Sequence, residues 1–220
     1  MESTASMLQF MLGSHKHLSH VIRYSTVPKI SKESVAEHSF FVAFYVDLLC
    51  DYAEANGVKV DRAKAVSRAL MHDAEESISS DLPYNVKHGS KGLLEQIQII
   101  NKACMKEMLS CLPKEIAERR YEIWVSAKSK DIEGQLVEAA DSLSLMVYCI
   151  QEKIMGNNAI IPVMKGGFEV LVKRAEALEW LNPLVEQIKI FMDEIIKKDD
   201  WYPDSAYAKM IKVGEEDEPR

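Results

Sequence analysis

Apolar residues recur at helical spacing through almost the whole chain, and strand-like alternation is scarce, which restricts the fold to packed helices. The clearest case lies between Ser34 and Gly57. Ser34-Val-Ala-Glu37 reads as a capping box, with Ser34 as N-cap and Glu37 at the third helical position. The helix it opens runs to about Asn56-Gly57, where glycine supplies the stop. Further helices are predicted over 3–12, with Met7, Leu8, Met11 and Leu12 on one face. Others are predicted from the Asp61 cap to His72-Asp73, over about 90–111 and 114–127, and from Asp131 to Met155. Two more follow near 164–179 and 183–198, with a short one near 204–211. His20 to Lys32 reads as irregular, because Pro28 pushes Val27 toward extended backbone. Ser77 to Lys87, with Ser-Ser-Asp, Leu-Pro and Tyr-Asn, reads as a turn or loop. No repeat or linker interrupts the pattern. The expectation is one all-α domain over residues 1–200, followed by a charged, frayed extension over 201–220.

Composition narrows the function. Hydrophobic residues make up 47% of the 220, enough for a substantial core. The net charge of -7 disfavours a nucleic-acid polymer as partner, since that needs basic surface to neutralise phosphates. Cys50, Cys104, Cys111 and Cys149 form no CxxC pair and fall in apolar helical stretches, so reduced core thiols are expected. No apolar run reaches the roughly 18 residues that span a bilayer. No basic segment with a cleavage site opens the chain, and a cytoplasmic protein with no membrane partner is expected.

The chemistry-bearing feature is the dipeptide His72-Asp73, with His38 upstream and Asp141 downstream. Imidazole and carboxylate together suit a divalent first-row transition ion, and four protein ligands would leave positions for water and substrate. The pattern points to a metal-dependent hydrolase. His38 falls on a stripe with Phe41, Val42, Tyr45 and Leu49 that should face the core. His72 shares a face with Ala65, Ala69 and Glu76. Asp141 lies among Val137, Ala140, Leu145 and Tyr148 with no Lys or Arg within a helical turn, and an ionised carboxylate buried without a partner is costly. On spacing alone, a four-ligand set and a set of hydrogen-bonded core residues fit equally.

Longer stretches carry a family resemblance. Ile22-Arg23-Tyr24, Glu33-Ser-Val-Ala-Glu-His38-Ser39, Met71-His-Asp-Ala-Glu-Glu76, Ser80-Asp81-Leu-Pro83 with Val86-Lys87, and Glu138-Ala-Ala-Asp141-Ser-Leu occur in that order. In them the chain resembles the HD superfamily of metal-dependent phosphohydrolases, and specifically the YfbR-like 5′-deoxynucleotidase group, over about residues 7 to 198. The resemblance implies an all-α HD-domain array of roughly 7–10 helices. It implies one divalent ion (Co, Mn, Ni, Fe, Zn or Mg) held by His38, His72, Asp73 and Asp141, and a homodimer or larger assembly.

The resemblance also places Glu76 and Asp81 beside the attacking water. Glu76 is expected as base or water-orienting group, and Asp81 as orienting group or sugar contact. Arg23 offers a planar fork to phosphate oxygens or sugar hydroxyls. Tyr24, where the family commonly has Trp, offers a stacking face for a nucleobase. Lys87 would be a second phosphate contact. Some relatives carry Lys three residues before the last ligand, where this chain has Glu138; facing the phosphates, that acid would lean toward a monophosphate. The expected reaction is removal of the 5′-phosphate from deoxynucleoside monophosphates. The alternatives are a dNTP triphosphohydrolase (some relatives act on dATP) or another nucleotide phosphohydrolase of this fold, and a catalytically silent nucleotide-binding module.

Overall fold

The computed structural model describes residues 2–87 and 89–197, with the side chains of 2–6, 84 and 85 excepted. The expected short helix near 204–211 and the 201–220 extension lie outside these residues. The described chain is all-α: α1 (Glu2–Met11), α2 (Val35–Ala55), α3 (Arg62–Met71), α4 (Glu76–Ser79), α5 (Tyr84–Lys87), α6 (Lys91–Leu109), α7 (Lys114–Val125), α8 (Ile132–Ile154), α9 (Ile161–Ala175) and α10 (Asn182–Lys197). Short 3-10 turns at Ser14–Ser19, Asn158–Ile160 and Glu179–Leu181 join some of them.

The caps fix where the long helices begin. Ser34 and Glu37 form the reciprocal capping box, with Glu37 N–H donating to Ser34 Oγ at 3.2 Å and Ser34 N–H to Glu37 Oε2 at 2.7 Å. Asp61 accepts from Lys64 N–H and Asp131 from Gly134 N–H. Each such cap contributes on the order of 1 kcal/mol to its helix. Gly57, at φ 75°, closes α2 in the left-handed region that favours glycine.

α8 is the central element and packs against α2, α3 and α9. Leu136, Val137, Ala140 and Met146 of α8 are buried with Val42, Val46 and Leu49 of α2, Ala65 and Ala69 of α3, and Met164 and Leu171 of α9. Each buried large aliphatic side chain is worth about 1.5–3 kcal/mol against exposure. The α2 stripe is turned from its expected direction: His38, Val42 and Leu49 face inward, but Phe41 is largely exposed and Tyr45 half-buried. Small residues explain this, because Ser39, Ala43 and Cys50 let α2 lie close to its neighbours along that edge.

A second cluster, Met105, Met108 and Leu109 of α6 with Ala74, supports the turn after α3. Glu75 in that turn accepts from Trp124 Nε1 at 2.6 Å and from Asn101 Nδ2 at 3.4 Å, tying the turn to α7 and α6. The segment expected as one loop from Ser77 to Lys87 instead contains single helical turns, the end of α4 and all of α5, because the His72–Glu76 turn winds on as helix as far as Ser79. Among the described residues no helix is long and apolar enough to cross a membrane. All four cysteines are free; Cys50 and Cys149 are buried, whereas Cys104 and Cys111 are only partly so.

Candidate metal centre

The ligand-type side chains arrive from three helices. His38 follows the α2 cap by one turn and is fully buried. His72 caps the C-terminus of α3, followed directly by Asp73, and Asp141 lies mid-way along α8. Their atoms converge. His38 Nε2 lies 3.3 Å from His72 Nε2, 3.1 Å from Asp141 Oδ1 and 3.7 Å from Asp73 Oδ2. His72 Nε2 lies 2.9 Å from Asp73 Oδ2. His38, His72 and Asp73 each offer a ligand atom within 4.8 Å of the other two, and Asp141 joins them through His38.

The imidazole contacts test whether this set fits a cation. His72 Nδ1 donates to the Ala69 carbonyl at 2.7 Å, which turns Nε2 toward the cluster. His38 Nδ1 meets both Ser144 Oγ at 3.1 Å and Arg23 Nη1 at 2.7 Å. Donating to Ser144, it presents a lone pair at Nε2; accepting from Arg23, it places a proton there, aimed at Asp141. Burial, then the Arg23 charge, lowers the His38 pKa to about 4, so the ring is neutral at physiological pH. Two imidazoles and two carboxylates in one small volume are a donor set that fits a divalent transition ion.

The carboxylates are ionised despite their surroundings. Burial alone would raise Asp141, but Lys128 and then His38 outweigh it and hold the group well below the usual carboxylate range. Burial opposes ionisation of Asp73 too, and His72 and Lys128 again prevail. Lys128, from the turn between α7 and α8, lies 2.7 Å from Asp141 Oδ2 and 3.6 Å from Asp73 Oδ1. Sequence reasoning missed it: the lysine is thirteen residues from Asp141, and a loop lysine carries no signal. Ser144 was also missed, although its position three residues after Asp141 on α8 puts it on the same face.

Around this cluster the irregular segment folds back on the start of α2. Ile22 bridges Ser34, Arg23 N–H donates to the Glu33 carbonyl and Val35 N–H to the Val21 carbonyl. That pairing aims Arg23 at the site, where Nη1 also donates to Glu33 Oε2 at 2.8 Å. Tyr24 is at φ 54° and its N–H donates to Asp81 Oδ2 at 3.1 Å; Asp81 follows Ser80, at φ 66°. Those are the two non-glycine residues in the left-handed region among the described residues. The Tyr24 ring does not stand open as a stacking face. Tyr148 stacks on it at 5.3 Å and the Arg23 guanidinium lies 4.7 Å from its centre.

Glu76 is buried one turn past His72; burial, then Asp73 and Asp81, pushes its carboxyl up to about 9. Burial also raises Asp81, opposed by Arg23 and the Tyr24 N–H. Lys87, at the end of α5, lies near enough to favour ionisation of Glu76 and Asp81. Glu138 is paired with Arg174 of α9. With its charge met there, it no longer argues for a monophosphate by repelling a longer chain.

The family model described as 5′-deoxynucleotidase YfbR-like matches residues 10–198. The 5′-deoxynucleotidase of Vibrio vulnificus is 28% identical over 176 residues, covering 79% of this chain and 91% of that protein. An HD-domain phosphohydrolase of Listeria innocua superposes with a TM-score of 0.66 at 21% identity, covering 88% of this chain and 99% of its own. The HD phosphohydrolase DatZ of cyanophage S-2L, bound to dA and one catalytic Zn2+ ion, superposes with a TM-score of 0.54 at 20% identity, covering 84% of this chain and 96% of its own.

Proposed function

Because the chain belongs to the YfbR-like 5′-deoxynucleotidase family, we propose that it is a metal-dependent phosphohydrolase that removes the 5′-phosphate from deoxynucleoside monophosphates. The observation that carries the proposal is the convergence of His38, His72, Asp73 and Asp141 on one point, with His38 Nε2 within 3.7 Å of an atom of each of the others. The relatives named 5′-deoxynucleotidase support the substrate class, and DatZ with bound dA is in keeping with it.

A divalent ion held by these four residues would polarise a phosphate oxygen and the attacking water. The chain's own residues then orient and move protons. Glu76 takes a proton from the water as it attacks phosphorus, the bond from phosphorus to the 5′-oxygen breaks, and Glu76 returns that proton to the 5′-oxygen, which leaves as the deoxynucleoside hydroxyl. The carboxyl of Glu76, raised to about 9 although Lys87 opposes the shift, ionises more readily when a cation is brought beside it. Arg23, held by Glu33 and lying against His38, would offer its guanidinium to a phosphate oxygen. Asp81, braced by the Tyr24 N–H, orients the water or the sugar, and Lys87 adds a second positive charge for the phosphate. Tyr24 serves as a wall of the site, since Tyr148 and Arg23 cover its ring.

We take residues 1–200 as the catalytic domain and 201–220 as an extension. Family resemblance also supports a cytoplasmic enzyme acting as a homodimer or larger assembly. Phe40, Phe44, Leu48 and Tyr52 form an exposed row along α2 that offers apolar surface for the latter. The deciding assay is a panel of dNMPs, rNMPs and dNTPs with added Mn2+, Co2+, Zn2+ or Mg2+, with product analysis. Orthophosphate released from dNMPs supports the proposal, and tripolyphosphate from dNTPs as the main product contradicts it.

A further inference from the structure

Asp73 and Asp141 each divide their two oxygens between opposite sides of the cluster. Asp73 Oδ2 faces the imidazoles, 2.9 Å from His72 Nε2, whereas Oδ1 lies 3.6 Å from Lys128 Nζ. Asp141 Oδ1 lies 3.1 Å from His38 Nε2, and Oδ2 lies 2.7 Å from Lys128 Nζ. One ammonium therefore grips the outer oxygens of both carboxylates while the inner oxygens meet the imidazole nitrogens.

The turn carrying Lys128 is itself anchored. Ala127 is buried, and Ser129 Oγ donates to Asp131 Oδ1, which also accepts from Arg68 Nη1 at 2.6 Å. Arg68 Nε donates to Ser126 Oγ, and Lys64 Nζ bridges Asp131 and Glu133, both at 2.8 Å. The start of α8 presses against the same turn at Gly134, where a Cβ would run into the Ser129 backbone. The ammonium is thus held in place from behind, and about a third of its side chain remains exposed.

We propose that Lys128 is a charge-setting residue of the metal site, one whose ammonium, set against the outer oxygens of Asp73 and Asp141, tunes the site toward an anionic phosphate. The inference rests on reading His38, His72, Asp73 and Asp141 as the ligands. The Lys128 ammonium offsets one of the two carboxylate charges it faces. The site is therefore less negative when empty, and more positive when it holds a divalent ion, than it would be without Lys128. Metal binding and phosphate binding should therefore respond to Lys128 in opposite directions.

The test uses the full chain with Lys128→Met and Lys128→Arg. Calorimetry first measures Mn2+ binding to metal-stripped protein, then inorganic phosphate binding to the Mn2+-loaded form. In Lys128→Met, Mn2+ should bind roughly tenfold tighter and phosphate roughly tenfold weaker, and Lys128→Arg should move both back toward the unsubstituted values. A lysine that serves folding alone would shift neither, or weaken both together, and either result overturns the proposal. If circular dichroism shows Lys128→Met unfolded, Lys128→Gln carries the same readouts. Normal Mn2+ binding by the unsubstituted protein without the opposed shifts in the variant defeats this inference alone. Absence of Mn2+ binding by the unsubstituted protein defeats the ligand assignment and this inference with it.

Discussion

Arg23 Nη1 lies 2.7 Å from His38 Nδ1, so a permanently charged donor touches the ring whose opposite nitrogen faces Asp141 and His72. Ser144 Oγ, 3.1 Å from the same Nδ1, is the competing partner, and the choice between the two decides whether Nε2 carries a proton or a lone pair. Removing the hydroxyl with Ser144→Ala leaves Arg23 as the remaining neighbour of that nitrogen and favours the tautomer that cannot ligate. Metal affinity should fall about tenfold or more, the scale on which partners of ligating histidines act. Calorimetric titration of metal-stripped protein measures this, and Ser144→Thr should keep most of the affinity.

Glu76 separates chemistry from metal binding. It lies outside the proposed ligand set, so Glu76→Gln should keep stoichiometric metal while kcat drops about 10²- to 10⁴-fold, the usual worth of a positioned acid or base. Elemental analysis and steady-state kinetics on one preparation check both halves. Loss of metal together with activity would move Glu76 into the ligand set.

Acid stability should report on the anchor behind the site. Burial disfavours charge on Asp131, but Arg68, Lys64 and Ser129 outweigh it and hold the group well below its ordinary value of 3.8. A carboxylate depressed on folding contributes stability that is present above its unfolded value and lost as pH falls through the lower folded one. Asp131→Asn should therefore lower the melting temperature at pH 7 and flatten its fall below about pH 4. Asn keeps the cap and the side chain is 38% exposed, so the loss at pH 7 should be that of solvent-screened ion pairs, about 1 kcal/mol, rather than of a buried ion pair. Thermal melts from pH 7 to pH 3 measure the effect.

Much of this was legible in the sequence where one short segment decides the outcome. Ser34 with Glu37, Asp61 and Asp131 mark helix starts through bonds to amides three residues away; the first two caps form as expected, and the helix begins at Asp131 as expected. His38, His72, Asp73 and Asp141 could be named because their sequence context is distinctive, although spacing alone left them ambiguous. What depends on distant packing was hidden. Phe41 faces outward because small residues elsewhere on α2 set its direction, which a repeat of 3.6 residues does not encode. Tyr24 is covered by Tyr148, a partner far along the chain. Lys128 reaches Asp141 only because the turn before α8 is folded against α3 by Arg68 and Lys64.

The most direct measurement is the metal content of purified, folded protein beside His72→Ala and Asp141→Ala, after equilibration with Mn2+ and removal of the free ion. The four-ligand site predicts roughly one equivalent in the unsubstituted chain and a loss of most of it in either variant, with helical circular dichroism retained. Full occupancy in both variants would contradict it.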